Sequence, residues 1–149
     1  MLMTTATIPE RKKARELTLQ KLFAKEFFKD SVKRKNPLAK GSKLKDMEQI
    51  LSEDFVDLIT TEKANLDEII NKHVDTWPVE KLAYIDKNIL RIAVYEIYNL
   101  QSVPVKVSIN EAIELAKKYG SESSYKFING VLGSVVRALT DQNFEVTEV

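Results

Sequence analysis

An all-α fold is predicted for this chain of 149 residues by three features of its sequence. Apolar residues recur at three- and four-residue intervals in stretch after stretch, as in helices with one buried face. The alternating valines of 103–107 are few and include Pro104, so they read as an extended link rather than a sheet strand. Residues 85–100 (IDKNILRIAVYEIYNL) are apolar around more than half of a helical circumference, through Ile89, Leu90, Ile92, Ala93, Val94, Ile97 and Leu100. A helix so apolar cannot lie on a surface, so the other helices must wrap it. With 44% apolar residues the chain can bury a core, and one domain over about 10–140 is expected.

Residues 1–9 read as a flexible leader closed by Pro9, a residue suited to the position before or at a first helical turn. The first helix is predicted over 10–29. Ala14, Leu17, Phe23, Ala24, Phe27 and Phe28 form its buried side, while Arg11, Arg15, Lys25 and Lys29 fall on another face with Thr18 and Leu22 between them. Residues 31–45, with KRK, Asn36-Pro37 and Gly41-Ser42, read as a mobile basic loop. A second helix over 44–60 buries Met47, Ile50, Leu51, Phe55, Leu58 and Ile59 and turns Glu48, Glu53, Asp54 and Asp57 outward. Asn65 and Glu68 have capping spacing for a third helix that repeats Leu66, Ile69, Ile70, His73, Val74 and Trp77 until Pro78 stops it. His73 falls on or beside the buried face, either as a packed, hydrogen-bonded imidazole or as a ring for stacking on a nucleotide.

A short helix or turn over 79–84 leads into the central helix, which Asp86 is expected to cap. Asn88, Arg91, Tyr95 and Asn99 line its narrow polar stripe. Glu96 falls inside the apolar arc, where an unpaired carboxylate is costly, so it requires a cation or loop amides that the sequence does not name. Ser108 and Glu111 have capping-box spacing ahead of Ile109, Ala112, Ile113, Ala116 and Tyr119, and Gly120 ends that helix. The last helix, over 122–140, buries Phe127, Ile128, Val131, Leu132, Val135, Val136 and Leu139. Its other side carries Lys126, Asn129, Gly130, Gly133 and Arg137. A mid-helix glycine costs about 1 kcal/mol relative to alanine, so either another helix or a partner is expected against that side. Residues 141–149 read as a frayed tail.

Charge is unevenly divided. The net charge is +1, yet residues 1–45 hold 13 Lys/Arg against 4 Asp/Glu, a balance of +9, and the remainder balances at −8. That asymmetry points to a polyanion partner for the basic part. Arg11, Lys12, Lys13 and Arg15 crowd the first turns of a helix, where its dipole disfavours each cation by roughly 0.3–1 kcal/mol. Either an external anion or a solvated helix end accounts for them. The absence of cysteine excludes disulfides, thiolate metal sites and cysteine nucleophiles, and a single histidine excludes a multi-histidine metal site. No Gly-rich phosphate loop, HExxH pair or nucleophile elbow occurs, and Glu114 can pair with Lys118 on a helix surface. A noncatalytic binding protein without a cofactor is expected. No apolar run of about eighteen residues occurs and the leader MLMTTATIPERKK has no apolar segment, so a cytoplasmic protein away from membranes is expected.

ERKKARELTLQKLF at 10–23, IDKNILRIAVYEI at 85–97 and VPVKVSINEAIELAKKYGSESSYKFINGVL at 103–132 together resemble the NusB family of bacterial transcription antitermination factors. The third segment is the most specific, because it joins cap, helix, glycine stop and KFINGVL in one order. The resemblance covers most of 10–139. It implies a compact all-α fold of about seven helices in two small subdomains, about 10–78 and 79–140. It also implies binding to boxA RNA of nascent ribosomal transcripts together with the ribosomal protein NusE, in an antitermination complex on RNA polymerase.

The family's arginine-rich RNA-binding motif falls on Arg11, Lys12, Lys13 and Arg15, where lysine at two positions substitutes a point charge for a planar fork. Phe23, Tyr119 and Phe127 match places where the family presents rings near RNA; core packing is the other role open to them. Ser121, Ser123 and Lys126 lie on the matching turn, within reach of sugar or phosphate, and Asp86 is implied as an acidic contact for NusE. A second interpretation is a self-associating interaction module whose homodimer covers the basic face. RNA binding requires the first helix and the turn entering the last to converge, so that cations and rings share one groove.

Overall fold

A computed structural model describes residues 8–27, 53–75, 77–100 and 102–141. The expectations for residues 1–7, the loop at 31–45, Phe28, Lys29, Met47, Glu48, Ile50, Leu51 and the tail after 141 lie outside them, as do the side chains of Phe27, Glu53 and Asp54. Among the described residues there are six α-helices and no strand. They are α1 (Ile8–Phe27), α2 (Glu53–Thr61), α3 (Lys63–Asn71), α4 (Tyr84–Asn99), α5 (Val105–Tyr119) and α6 (Ser124–Asp141), with a 3-10 turn at Val79–Lys81.

The apolar density of α4 makes it the centre of the fold. It packs against each of the other five helices, and every residue from Lys87 to Ile97 is buried. Asn88, Arg91 and Tyr95 of its polar stripe are buried as well, because the polar groups find partners, and Asn99 is half-buried. Arg91 donates through Nε and Nη2 to the two oxygens of Asp67 at 2.7 and 2.9 Å, and through Nη1 to Glu26 at 3.0 Å. Asn88 Nδ2 donates to the Tyr84 carbonyl at 2.8 Å and reaches Glu26 at 3.3 Å. Tyr95 packs edge-on against Phe55 with ring centroids 5.6 Å apart. Burial opposes the charge on Glu26, but Arg91, Lys87 and Asn88 more than offset it and leave its pKa below the usual carboxylate value.

Several boundaries and faces differ from the sequence expectation. The N-cap of α4 is Ala83 in extended backbone, and Asp86 lies in the first turn, where its charge suits the helix dipole without capping. Helix α1 buries Ala14, Arg15, Thr18, Leu19 and Leu22, while Ala24 is exposed and Leu17 and Phe23 are half-buried. The face is rotated because its polar members are satisfied internally; Thr18 returns its hydroxyl to the Ala14 carbonyl at 2.7 Å. Asp57 is buried rather than facing outward. Helix α3 ends at Asn71, whose side chain accepts the Val79 amide at 2.7 Å, so the chain turns and Trp77 is left 61% exposed outside the helix. Beyond that end, His73 Nδ1 lies 2.8 Å from Ser134 Oγ on α6, a hydrogen-bonded imidazole. Helix α5 starts at Val105 after Pro104, so Ser108 lies inside it and does not cap it. Among the described residues nothing packs on Gly130, and only the Arg137 side chain approaches Gly133, so of the two expected coverings, a helix or a partner, no helix is found there.

Candidate nucleic-acid interface

The interface is built on a buried tether. Arg15 donates through Nε and Nη2 to the two oxygens of Glu96, each at 2.8 Å, and Ser108 Oγ donates to Glu96 at 2.9 Å. Arg15 is 3% exposed and Glu96 1%, which identifies the partner that Glu96 requires. Burial works against the Arg15 charge, but Glu96, through charge and hydrogen bonds, and then Glu111 raise its pKa above the ordinary guanidinium value. Arg15 is therefore not an outward-facing cation. Its fork joins α1 to α4, and the Ser108 bond brings α5 into the same cluster.

Held in that way, the outer edge of α1 lies along α5. Lys12 Nζ meets Glu111 at 2.7 Å, Lys118 Nζ meets Glu16 at 2.9 Å, and Gln20 Nε2 donates to the Tyr119 hydroxyl at 3.0 Å. The three contacts follow the same order along both helices, so α1 and α5 run in the same direction at this seam. Lys13 is exposed beside it, and Arg11 is half-buried. The Lys118 ammonium also sits 5.5 Å from the Tyr119 ring centre, and Lys117 and Lys126 flank Tyr125 at 5.4 and 5.9 Å.

The turn between α5 and α6 is fixed by a close approach. A Cβ at Gly120 would fall 2.6 Å from Ser124 Oγ and 2.7 Å from the Ala116 carbonyl oxygen, so only glycine fits. Ser124 is buried and its Oγ accepts the Ser121 amide at 2.9 Å, which starts α6 at Ser124 rather than at Glu122. Ser121 and Ser123 are left exposed, with their hydroxyls 3.4 Å apart, and Lys126 is exposed one turn on.

The structure thus brings Lys12, Tyr119 and the turn bearing Ser121 and Ser123 to one side of the molecule, with Lys13 exposed next to Lys12. Phe127 is half-buried and packed against the core. Phe23 lies one turn beyond Gln20 and meets Tyr84 edge-on, with ring centroids 6.0 Å apart. Asp86 is half-buried at the start of α4. Sequence reasoning missed Gln20, Tyr84, Lys117, Lys118 and Tyr125. The interleaving of lysine, tyrosine and serine in KKYGSESSYK was the available signal for three of them. Ammonium groups for phosphate, ring faces for bases and hydroxyls for sugar or phosphate suit a flexible single strand. Among the described residues no group of three or more acids or histidines could hold a metal ion, and no helix is long and apolar enough to cross a membrane.

Comparison with known proteins agrees with this architecture. The NusB family model matches residues 12–137. Transcription antitermination protein NusB of Dehalococcoides mccartyi (strain CBDB1) is 44% identical over 146 residues, an alignment covering 93% of this chain and 95% of the relative. A T. maritima NusB structure superposes with a TM-score of 0.69 at 29% identity, covering 90% of this chain and 93% of that one. The fold is also shared with a chain in a crystal structure of antitermination factors NusB and NusE in complex with dsRNA, at a TM-score of 0.67 and 24% identity over 89% of this chain and 99% of that one. An all-helical core around α4, the α1–α5 seam and a family match that spans nearly all of the described helices lead to one conclusion: this chain belongs to the NusB family.

Proposed function

We propose that this protein is a noncatalytic RNA-binding adaptor of transcription antitermination. It binds boxA-type single-stranded RNA together with the ribosomal protein NusE and helps RNA polymerase resist termination in ribosomal RNA operons. The observation that carries this proposal is the seam at which Lys12 and Gln20 of α1 meet Glu111 and Tyr119 of α5, beside exposed Lys13, Ser121 and Ser123. A strand lying there meets ammonium groups along its backbone and the Tyr119 ring with its bases, and base–aromatic stacking contributes about 1–3 kcal/mol per base. Phe23 extends the face beyond Gln20, Phe127 lies half-buried on the first turns of α6, Arg11 adds charge, and Asp86 offers an acidic contact for NusE on the first turn of α4.

The phosphate-contacting set is Lys12, Lys13, Lys118 and Lys126, with Arg15 held inside the fold. Four contacts to a single strand give a slope of log affinity against log salt of roughly −3. The test is fluorescence anisotropy of labelled boxA RNA across a salt series, with and without NusE. NusE is expected to tighten binding, and Lys13→Ala to weaken it and reduce the slope by about 0.7. Salt-independent binding, or a Lys13→Ala variant indistinguishable from the parent, refutes the assignment.

A further inference from the structure

Two of the lysines offered to RNA are already held by carboxylates of the same chain. Lys118 Nζ lies 2.9 Å from Glu16 and Lys12 Nζ lies 2.7 Å from Glu111. Neither pair is needed to hold the fold: the two lysine side chains are 60% and 51% exposed, and exposed pairs contribute roughly 0–1 kcal/mol. The buried Arg15–Glu96 fork already fixes α1 at this place. The Glu16–Lys118 pair is nonetheless well formed. The Lys118 ammonium, and then the Tyr119 hydroxyl, hold Glu16 below the usual carboxylate pKa, and Glu16 raises that of Lys118. Glu16 therefore holds the cation, next to Tyr119 in the chain, that a strand's phosphate would use.

We infer that Glu16 is an intramolecular competitor for the RNA backbone, with Glu111 acting in the same way on Lys12. In the free protein each acid occupies its lysine, and a phosphate that takes the ammonium must displace it. The net gain from that phosphate contact is therefore small. A strand that offers only phosphates gains little, whereas one whose bases also stack on Tyr119 gains the stacking in full. The acid therefore lowers affinity for any strand that uses the Lys118 ammonium. This inference rests on the proposed RNA role, although the competition itself concerns any single-stranded RNA.

The test compares the parent protein with Glu16→Gln, Lys118→Ala, the double variant and Glu68→Gln. Glu68→Gln removes the same charge from an exposed site on α3, which packs on α2, α4 and α6. Binding of labelled boxA RNA and of an oligo(U) of equal length is measured by anisotropy across a salt series. Glu16→Gln is expected to tighten binding of both strands roughly three- to tenfold at low salt. In the Lys118→Ala background, and in Glu68→Gln, the gain should stay below about twofold. Unchanged or weaker binding by Glu16→Gln overturns the inference, as does an equal gain without Lys118 or from Glu68→Gln. If the parent protein shows no preference for boxA over oligo(U), the boxA role fails while the oligo(U) series still decides the competition. Glu111→Gln, judged against Lys12→Ala by the same criteria, gives a second decision should Glu16→Gln fold poorly; because Glu111 also lies 3.9 Å from Arg15 Nη1, its thermal midpoint is compared with the parent's alongside.

Discussion

Replacing Arg15 by methionine separates a cation that holds the fold from one that holds RNA. The guanidinium makes two 2.8 Å bonds to Glu96, and both residues are almost wholly buried, at 3% and 1% exposure. Removing it leaves the Glu96 carboxylate inside the protein with the Ser108 hydroxyl as its remaining donor. Breaking a buried pair from one side costs roughly 3–5 kcal/mol. For a domain of this size each kcal/mol moves the thermal midpoint by about 2–4 °C, so Arg15→Met should melt roughly 6–20 °C lower. Replacing both charges, with Arg15→Met and Glu96→Leu together, removes the stranded carboxylate and should restore most of the loss. The assay is thermal unfolding followed by far-UV circular dichroism, paired with RNA binding at a temperature where both variants are folded. A midpoint within about 2 °C of the parent, accompanied by a salt slope reduced by about 0.7, would show that Arg15 meets phosphate and refute the tether.

Two further substitutions test packing, and a third tests pH dependence. Gly120→Ala forces a Cβ to within 2.6–2.7 Å of Ser124 and the Ala116 carbonyl, and should cost about 1–3 kcal/mol in urea unfolding. Gly130→Ala enters open space in the middle of α6 and should stabilise by about 0.5–1 kcal/mol in the same experiment; opposite signs would contradict the placement of α6. Burial, then the charges of Lys72 and Arg137, lower the pKa of His73 below the ordinary imidazole value. The unfolded chain therefore binds more protons in that window, so stability should rise with pH as it passes from the folded pKa to the unfolded one and be lost on acidification. His73→Gln should flatten that slope in denaturant melts taken between about pH 5 and 7, and an unchanged slope would assign it to other groups.

The central helix was legible because its apolar residues are too many for a surface, and so was the need of Glu96 for a partner. The identity of that partner was not, since Arg15 is 81 positions away and no local spacing reports it. The same pair explains the rotated face of α1: pattern reading assigns arginine and threonine to solvent, whereas Arg15 is neutralised by Glu96 and Thr18 is satisfied by its own helix. The polar stripe of α4 was legible as a stripe but its partners were not, because Arg91 and Asn88 meet Glu26 and Asp67 across the core. Ser108 matches a capping pattern in sequence but gives its hydroxyl to Glu96. At the interface, the glycine stop was readable from type and order, whereas the Tyr84 and Tyr125 rings were not. The seam that places Glu16 against Lys118 depends on how α1 and α5 lie together, and that follows from the buried tether.

The decisive measurement is residue-resolved NMR of the protein titrated with boxA RNA. The expected perturbations fall on Lys12, Lys13, Gln20, Tyr119, Ser121 and Lys126, while the Arg15 guanidinium signal keeps the signature of its bond to Glu96. Perturbations gathered instead around the exposed Trp77 and the open Gly130 face of α6, with the α1–α5 seam silent, would contradict the assignment of the RNA to that seam.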